Sequence, residues 1–262
     1  MKRFSVIVVW IILCLACEKL PAQNYVGVRA GYGGGTSRLY DIPNPDYRYV
    51  WGLTNYGVSW KYYSADRVVG AVQVDLEFLQ RGFAIANYQG DSSATYKRTL
   101  SAINIPFSWQ PHVYFFHRHL RVFLNAGINL SYNFNSSESL TNKTGTVFNR
   151  PYTMQINRDN RFGYGLSGGF GFGMLFGRLE YFLEGRYYFG YSDILKNGTI
   201  YGNSNGDPPY PNPQRSPLDN INLSFGIFYR LGKGGIKSPT QAQVNAHKSK
   251  AGVTHFQKMD QQ

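Results

Sequence analysis

The sequence has little charge and almost no cysteine. Only 16% of its 262 residues are charged, against about 25% in an ordinary soluble domain. Aromatic residues also make up 16%, which excludes a disordered chain, since such chains are rich in charge and poor in aromatics. The two cysteines, Cys14 and Cys17, both lie near the N-terminus. If cleavage follows Ala22, the mature chain has no cysteine for a disulfide, a zinc site or nucleophilic catalysis.

The first 22 residues predict an export signal. Lys2 and Arg3 form a basic start, residues 4–16 are an almost unbroken apolar run, and Ala22 offers a small residue for cleavage. A retained anchor is the alternative, but this run is shorter than the ~20 apolar residues that span a bilayer. Lipid attachment at Cys17 is a second alternative, although Cys14 stands where a lipobox prefers a branched aliphatic residue.

Apolar residues alternate with polar ones along most of the remaining chain. From Val72 to Phe78 the apolar residues are separated by Gln73, Asp75 and Glu77, which is the pattern of a strand with one apolar face. The same period predicts eight strands, at residues 26–32, 56–62, 72–78, 103–109, 122–130, 162–174, 179–191 and 221–231. Most approach the ~9–11 residues with which a tilted strand crosses a membrane. No segment after residue 22 has the ~18 apolar residues of a transmembrane helix.

The predicted links between these strands alternate in length. Long links at 34–50, 82–96, 135–160 and 193–219 are interleaved with short turns at 64–67, 116–119 and 176–178. Long and short connections therefore fall on opposite ends of the strands. Transmembrane barrels have this layout, with short periplasmic turns and long extracellular loops.

The polar face of the strands distinguishes a barrel from a soluble β-sandwich. A sandwich would carry charged and polar side chains on a solvated outer face, whereas this face consists mostly of Gly, Ser and Asn. Its few charges, five positive and four negative, nearly balance and must pair, because an isolated charge in a narrow interior is heavily penalised. The predicted ion-pair network of the lumen consists of Arg29, Lys61, Asp75, Glu77, Arg121, Glu180, Glu184, Arg186 and Arg230. The apolar face, with aromatic residues toward the strand ends, is typical of a lipid belt.

Several segments resemble the PorT-like outer-membrane β-barrel proteins. They are VGVRAG at 26–31, QVDLEFLQRG at 73–82, INIP at 103–106 and FLNAG at 123–127, and the resemblance extends over roughly residues 24–231. It implies a small eight-stranded barrel in the outer membrane. The namesake of that family is associated with the type IX secretion machinery, while most members have no assigned activity.

The sequence gives little support for a catalytic or a metal-binding site. Barrel enzymes need a base near the outer rim, but His112, His117 and His119 cluster at a predicted periplasmic turn, and His247 and His255 lie in the tail. The turn histidines lack a carboxylate or cysteine partner for a metal. The interior carboxylates suggest an acid pair or an ion path as alternatives, and we favour a structural network. No helix pattern follows the glycine runs, so a phosphate-binding loop is not predicted.

The sequence therefore predicts an all-β protein: an eight-stranded antiparallel transmembrane up-and-down barrel at 23–232, after a signal peptide at 1–22 and before a disordered, basic periplasmic tail at 233–262. The net charge, 27 − 15 = +12, forms no compact basic stripe, so nucleic acid is not expected. We expect a non-enzymatic, structural or accessory envelope component without cofactors. Its expected partners are outer-membrane lipid and periplasmic or secretion-machinery proteins. A surface adhesin or receptor using loops 135–160 and 206–213, and a narrow diffusion pore, are the alternatives.

Overall fold

The fold is described from a computed structural model, which covers residues 23–38, 46–63, 70–87, 92–116, 119–196 and 215–231. The predicted signal peptide with Cys14 and Cys17, the turn at 64–67, His117, the stretch 206–213 and the tail lie outside the described residues. No helix in these described ranges is long and apolar enough to cross a membrane.

The described chain is a series of antiparallel strands. They are β1 (Gln23–Ser37), β2 (Asp46–Arg48), β3 (Val50–Tyr63), β4 (Ala71–Ala86), β5 (Thr95–Gln110), β6 (His112–Phe115), β7 (Leu120–Asn142), β8 (Gly145–Pro151), β9 (Phe162–Phe176), β10 (Leu179–Gly190) and β11 (Leu218–Leu231). All eight strands predicted from the sequence are present.

Eight of the strands form a closed ring. The order β4, β3, β1, β11, β10, β9, β7, β5 closes because β5 pairs with β4 as well as with β7. The first and last strands are neighbours, with Asn24 opposite Leu231. The chain therefore enters and leaves the barrel at the same rim. The Gly177–Arg178 turn between β9 and β10 lies at that rim too, and Gly177 supplies its positive φ of 60°. The predicted up-and-down barrel is thus confirmed.

The polarity of the barrel is the reverse of that in a soluble protein. On the outside, the apolar side chains of Val28 and Leu124 are 58% and 59% exposed. On the inside, Lys61, Arg121 and Glu180 are completely buried. Only a lipid environment makes this arrangement favourable, because exposed apolar surface would otherwise face water.

Aromatic side chains lie on the outside near both rims. Trp109, Phe115, Phe116, Phe176 and Tyr229 are exposed toward the rim with the short turns, and Tyr32, Trp51, Phe134 and Phe162 toward the opposite rim. Such paired girdles mark the two interfaces of a bilayer.

Two predicted links are corrected in extent. β4 continues to Ala86 and β5 begins at Thr95, so nearly half of the link at 82–96 is strand, and β7 with β8 occupies most of 135–160. In these extensions the outer face becomes polar, as at Thr99 and Ser137, whose hydroxyls are 2.6 Å apart. The apolar alternation therefore stops while backbone pairing continues. This is why the sequence pattern placed the strand ends too early.

Candidate functional site

Strand geometry sends the charged side chains into the lumen. Because side chains alternate between the two faces of a strand, outward apolar residues such as Val74 and Leu76 leave Gln73, Asp75 and Glu77 inside. The structure brings eight of the nine predicted network residues together, four cations with four carboxylates. Arg230 does not join them. It lies near the short-turn rim, where its side chain meets the phenol of Tyr25.

The middle of the lumen holds two arginines that share three carboxylates. Arg29 Nη1 lies 3.0 Å from Asp75 Oδ2 and 3.2 Å from Glu77 Oε1, and Nη2 lies 3.5 Å from Glu184 Oε1. Arg186 Nη1 lies 2.7 Å from the same Asp75 oxygen, while its Nε contacts Glu184. All five side chains are at most 1% exposed. The residues form one connected layer across the lumen, not a set of separate pairs.

Neutral donors complete this middle layer. The hydroxyl of Tyr188 donates to Glu77 Oε2 at 2.8 Å, and Asn104 Nδ2 donates to the same oxygen at 3.2 Å. Gln73 Nε2 donates to Asp75 Oδ1 at 2.7 Å. Buried carboxylates need such partners because unmet hydrogen-bonding capacity is costly in a low dielectric.

A second charged layer lies closer to the short-turn rim. Glu180 accepts from Lys61 Nζ at 3.3 Å and from Arg121. The Lys61 ammonium is 3.9 Å from the centre of the Phe228 ring and 5.5 Å from that of Phe123, within the range of cation–π attraction. Five aromatic residues and one alanine surround these charges in a buried cluster formed by Tyr25, Tyr63, Ala71, Phe123, Phe182 and Phe228.

The far end of the lumen carries charges that the sequence analysis missed. Arg98 Nη2 donates to Asp159 Oδ1 at 2.9 Å, and its guanidinium lies over the Tyr152 ring at 3.8 Å. The backbone N–H of Gln155 also donates to Asp159, at 2.8 Å. Asp159 belongs to the predicted link at 135–160, and Arg98 lies between the predicted link at 82–96 and the predicted strand at 103–109. Arg81 is another inward cation. Arg81 has the same strand phase as Asp75 and Glu77, so the two-residue alternation could have predicted that it points inward.

The same end is covered by packed loops. Asn160 N donates to Ile194 O at 2.7 Å, and Lys196 N donates to Arg158 O at 2.8 Å, so the β8–β9 and β10–β11 connections hold each other. Beneath them lies an apolar cluster of Phe83, Ile85, Ala94, Tyr96, Leu100, Ile194 and Leu218. This cluster and the two charged layers place buried side chains at three levels of the lumen.

The barrel also becomes narrower at this end. Pairing of β3 with β4 ends at Asn55 and Leu79, and beyond that point β4 approaches β1 and β11. The Asn220 amide donates across to Gln80 O at 3.1 Å. A Cβ on Gly35 would lie 2.7 Å from a β4 carbonyl oxygen, so glycine is required for this close approach.

The described histidines lie at the short-turn rim. His112 packs edge-on against Tyr63 and Tyr114, and its Nδ1 lies 3.1 Å from Gln110 O. His119 closes the turn through a backbone bond to Phe116 O. Across the described residues, no three His, Cys, Asp or Glu side chains are grouped as a metal site would need.

The amino-acid sequence matches a known protein family. The profile of the family described as "Outer membrane protein beta-barrel domain" matches residues 22–196. No curated protein matches the chain.

Several solved barrels are similar at low identity. Neisserial surface protein A is 14% identical, with 80% of this chain and 99% of that chain covered and a TM-score of 0.39. OprG from Pseudomonas aeruginosa is 9% identical, with 82% and 98% covered and a TM-score of 0.39. Ail, the attachment invasion locus protein of Yersinia pestis, is 8% identical, with 80% and 99% covered and a TM-score of 0.31.

Proposed function

The chain belongs to the outer membrane protein β-barrel domain family, and on that premise we propose that it is a non-enzymatic, non-conducting accessory protein of the outer membrane. It acts by holding partner proteins at its rims. The packed lumen is the observation that carries this proposal: charged layers at Arg29–Glu184 and Lys61–Glu180 leave no role for the interior as a path. Partner proteins would then bind the surfaces that lie outside the lipid, at the two rims.

The PorT-like resemblance of the strand segments suggests which machinery is involved. We propose an association with type IX secretion, on the basis of the motifs at 26–31, 73–82, 103–106 and 123–127. Export by a cleaved signal at 1–22, with lipidation of Cys17 as the alternative, belongs to the same proposal. So does a periplasmic tail at 233–262 that is available to a partner.

The absence of enzymatic activity is proposed from the position of the bases. His112 and His119 lie at the short-turn rim, away from the loops that face the medium. The interior carboxylates form ion pairs with arginine and lysine, so they are not available as a general acid or base.

A second candidate, a surface adhesin or receptor, is favoured by the extension of β7 and β8. These strands continue beyond the outer aromatic residue Phe134, and β7 ends at Asn142. The tip of their hairpin is exposed, with Val147 at 54%. An exposed, rigid projection is a suitable element for binding a ligand outside the cell.

Affinity purification from native membranes tests the accessory role. A tagged full-length chain, extracted in mild detergent, is expected to retain the same envelope proteins in repeated preparations. Deleting the gene is expected to reduce secretion. A chain that captures no partner and whose deletion leaves secretion unchanged would contradict the proposal.

A trimmed hairpin separates the two candidates. Replacing residues 141–147 with Asn-Gly keeps the Leu140–Phe148 pair that packs on the apolar cluster and supplies a tight turn. Retained heat-modifiable gel mobility would show that the barrel still folds. An accessory protein keeps its envelope partners in this variant, whereas an adhesin loses its ligand.

A further inference from the structure

Arg81 differs from the other buried arginines of the lumen. Its side chain points inward from β4, only 5% of the residue is exposed, and its partners are neutral. Nη1 donates to Ser131 Oγ at 3.1 Å and Nη2 to Asn104 Oδ1 at 3.4 Å, while Nε has no partner. Within the described ranges, no carboxylate forms an ion pair with it.

The charges around Arg81 are already compensated. The eight-residue network contains four cations and four anions, so its formal sum is zero. Arg98, opposite the neighbouring inward residue Phe83, has Asp159 as its partner. Glu77 and Asp219 attract Arg81 through space without forming an ion pair with it, so its positive charge is only partly offset. A buried charge that is only partly offset is costly even after the surroundings relax, so a bound counter-ion would stabilise it.

A small cavity adjoins the Arg81 side chain. It lies between β4, β7, β9 and the start of the β10–β11 connection, and its lining includes Asn133, Ser192 and Asp193. Its volume is about 10 Å³, a small space of the order of one water molecule.

Glycine keeps space open beside the guanidinium. A Cβ on Gly163 would lie 3.7 Å from Arg81 Nη1, 3.1 Å from Ser192 Oγ and 2.4 Å from Ser131 Oγ. Ser192 Oγ accepts from Tyr164 N at 2.9 Å, so its own proton remains available to donate. The position next to Arg81 thus has two donors, the guanidinium and the Ser192 hydroxyl.

The nearby carboxylates are turned to other partners. Asp193 Oδ1 accepts from Ser216 N at 2.7 Å and lies 3.6 Å from Arg215 Nε. Asp219 accepts from Arg38 and from Gly190 N. Their negative charge is therefore partly offset by these partners.

We propose that this cavity is a binding site for a single monatomic anion of about the size of chloride, held by Arg81 and the Ser192 hydroxyl. The anion completes the charge balance of the lumen below the loop cover. It stabilises the folded barrel by mass action, because it binds the folded chain and not the unfolded one.

Bromide scattering tests the site directly in the unaltered protein. Crystals of the full chain grown in bromide are expected to show an anomalous peak within hydrogen-bond distance of the Arg81 guanidinium. A water at that position without an anomalous signal would overturn the proposal. Because this measurement needs no variant, it stands even where a substitution prevents folding.

Stability measurements give a second test. At constant ionic strength, replacing a large organic anion by chloride is expected to raise the urea midpoint of unfolding. Arg81→Gln is expected to abolish this rise. Arg150→Gln is the matched control, because Arg150 is 59% exposed and paired with Glu138, and neither residue lines the cavity, so this variant should keep the rise. An equal chloride response in Arg81→Gln and the unaltered chain would contradict the site.

Discussion

At the scale of single residues, Glu180 serves two buried cations at once. Its Oε1 atom meets both Lys61 and Arg121, and all three side chains are fully buried. Glu180→Gln leaves both cations without a carboxylate, and we expect it to lower the free energy of unfolding by about 3–5 kcal/mol. Urea unfolding in lipid vesicles measures the loss.

An exposed ion pair is the control for this substitution. The Arg150 side chain is 59% exposed where it meets Glu138, so Arg150→Gln should change stability by at most about 1 kcal/mol. Equal effects of the two substitutions would mean that the Glu180 layer is hydrated and not a packed barrier.

The glycines of β9 give a further prediction at this scale. A Cβ on inward Gly171 would lie 2.4 Å from the Phe123 ring, whereas one on Gly168 would have its nearest contact at an ordinary 3.7 Å. Gly171→Ala should therefore destabilise the barrel by about 1–3 kcal/mol through overpacking. Gly168→Ala, on the same strand, should be close to neutral. The two unfolding free energies measured side by side check this, and the reverse order would contradict the inward assignment.

At the scale of elements, the outer face of a strand changes character along its length. Leu223 of β11 lies in the apolar belt and is 57% exposed, whereas Thr141 lies on the polar extension of β7. Leu223→Arg should cost about 2–4 kcal/mol, as arginine does near a bilayer midplane. Thr141→Arg should have little effect. Folding yield and stability in vesicles would check both, and a tolerated Leu223→Arg would contradict a lipid-facing belt.

Elements were predictable where one physical signal governed them. In β7, outward Leu124 and Ile128 alternate with inward Asn125 and Asn129, so the period alone locates the strand. The extension of β7 past Asn135 was missed because its outer residues face water and need not be apolar. Where only backbone pairing determines the end of a strand, the hydrophobic pattern of the sequence does not show it.

The interior was predictable in composition and not in arrangement. Asp75 and Glu77 had to face inward and find cations, but which arginine meets which carboxylate depends on the ring order. Asp159 could not be assigned at all, because a loop folds back into the lumen to bring it to Arg98. Arg230 illustrates the converse, since it has the right strand phase but lies too near the rim.

At the scale of the whole molecule, the interior of the barrel is occupied by buried side chains at three levels. We propose that the Lys61–Glu180 layer, the Arg29–Glu184 layer and the loop cover over the apolar cluster block the lumen in series. Removing one of them leaves two. We therefore expect Asp159→Asn, which loosens the loop cover at Arg98, to increase protease sensitivity of the loops without opening a channel. Limited proteolysis and conductance on the same preparation check this, and a channel in Asp159→Asn would mean that the charged layers are permeable.

Conductance of the unaltered protein in planar lipid bilayers tests the central claim most directly. The refolded barrel, verified by heat-modifiable gel mobility, is expected to insert and give no stable current steps across a wide range of voltages. A steady ohmic conductance that scales with salt concentration would contradict the closed lumen, and the protein would then be a pore and not an accessory component acting at its rims.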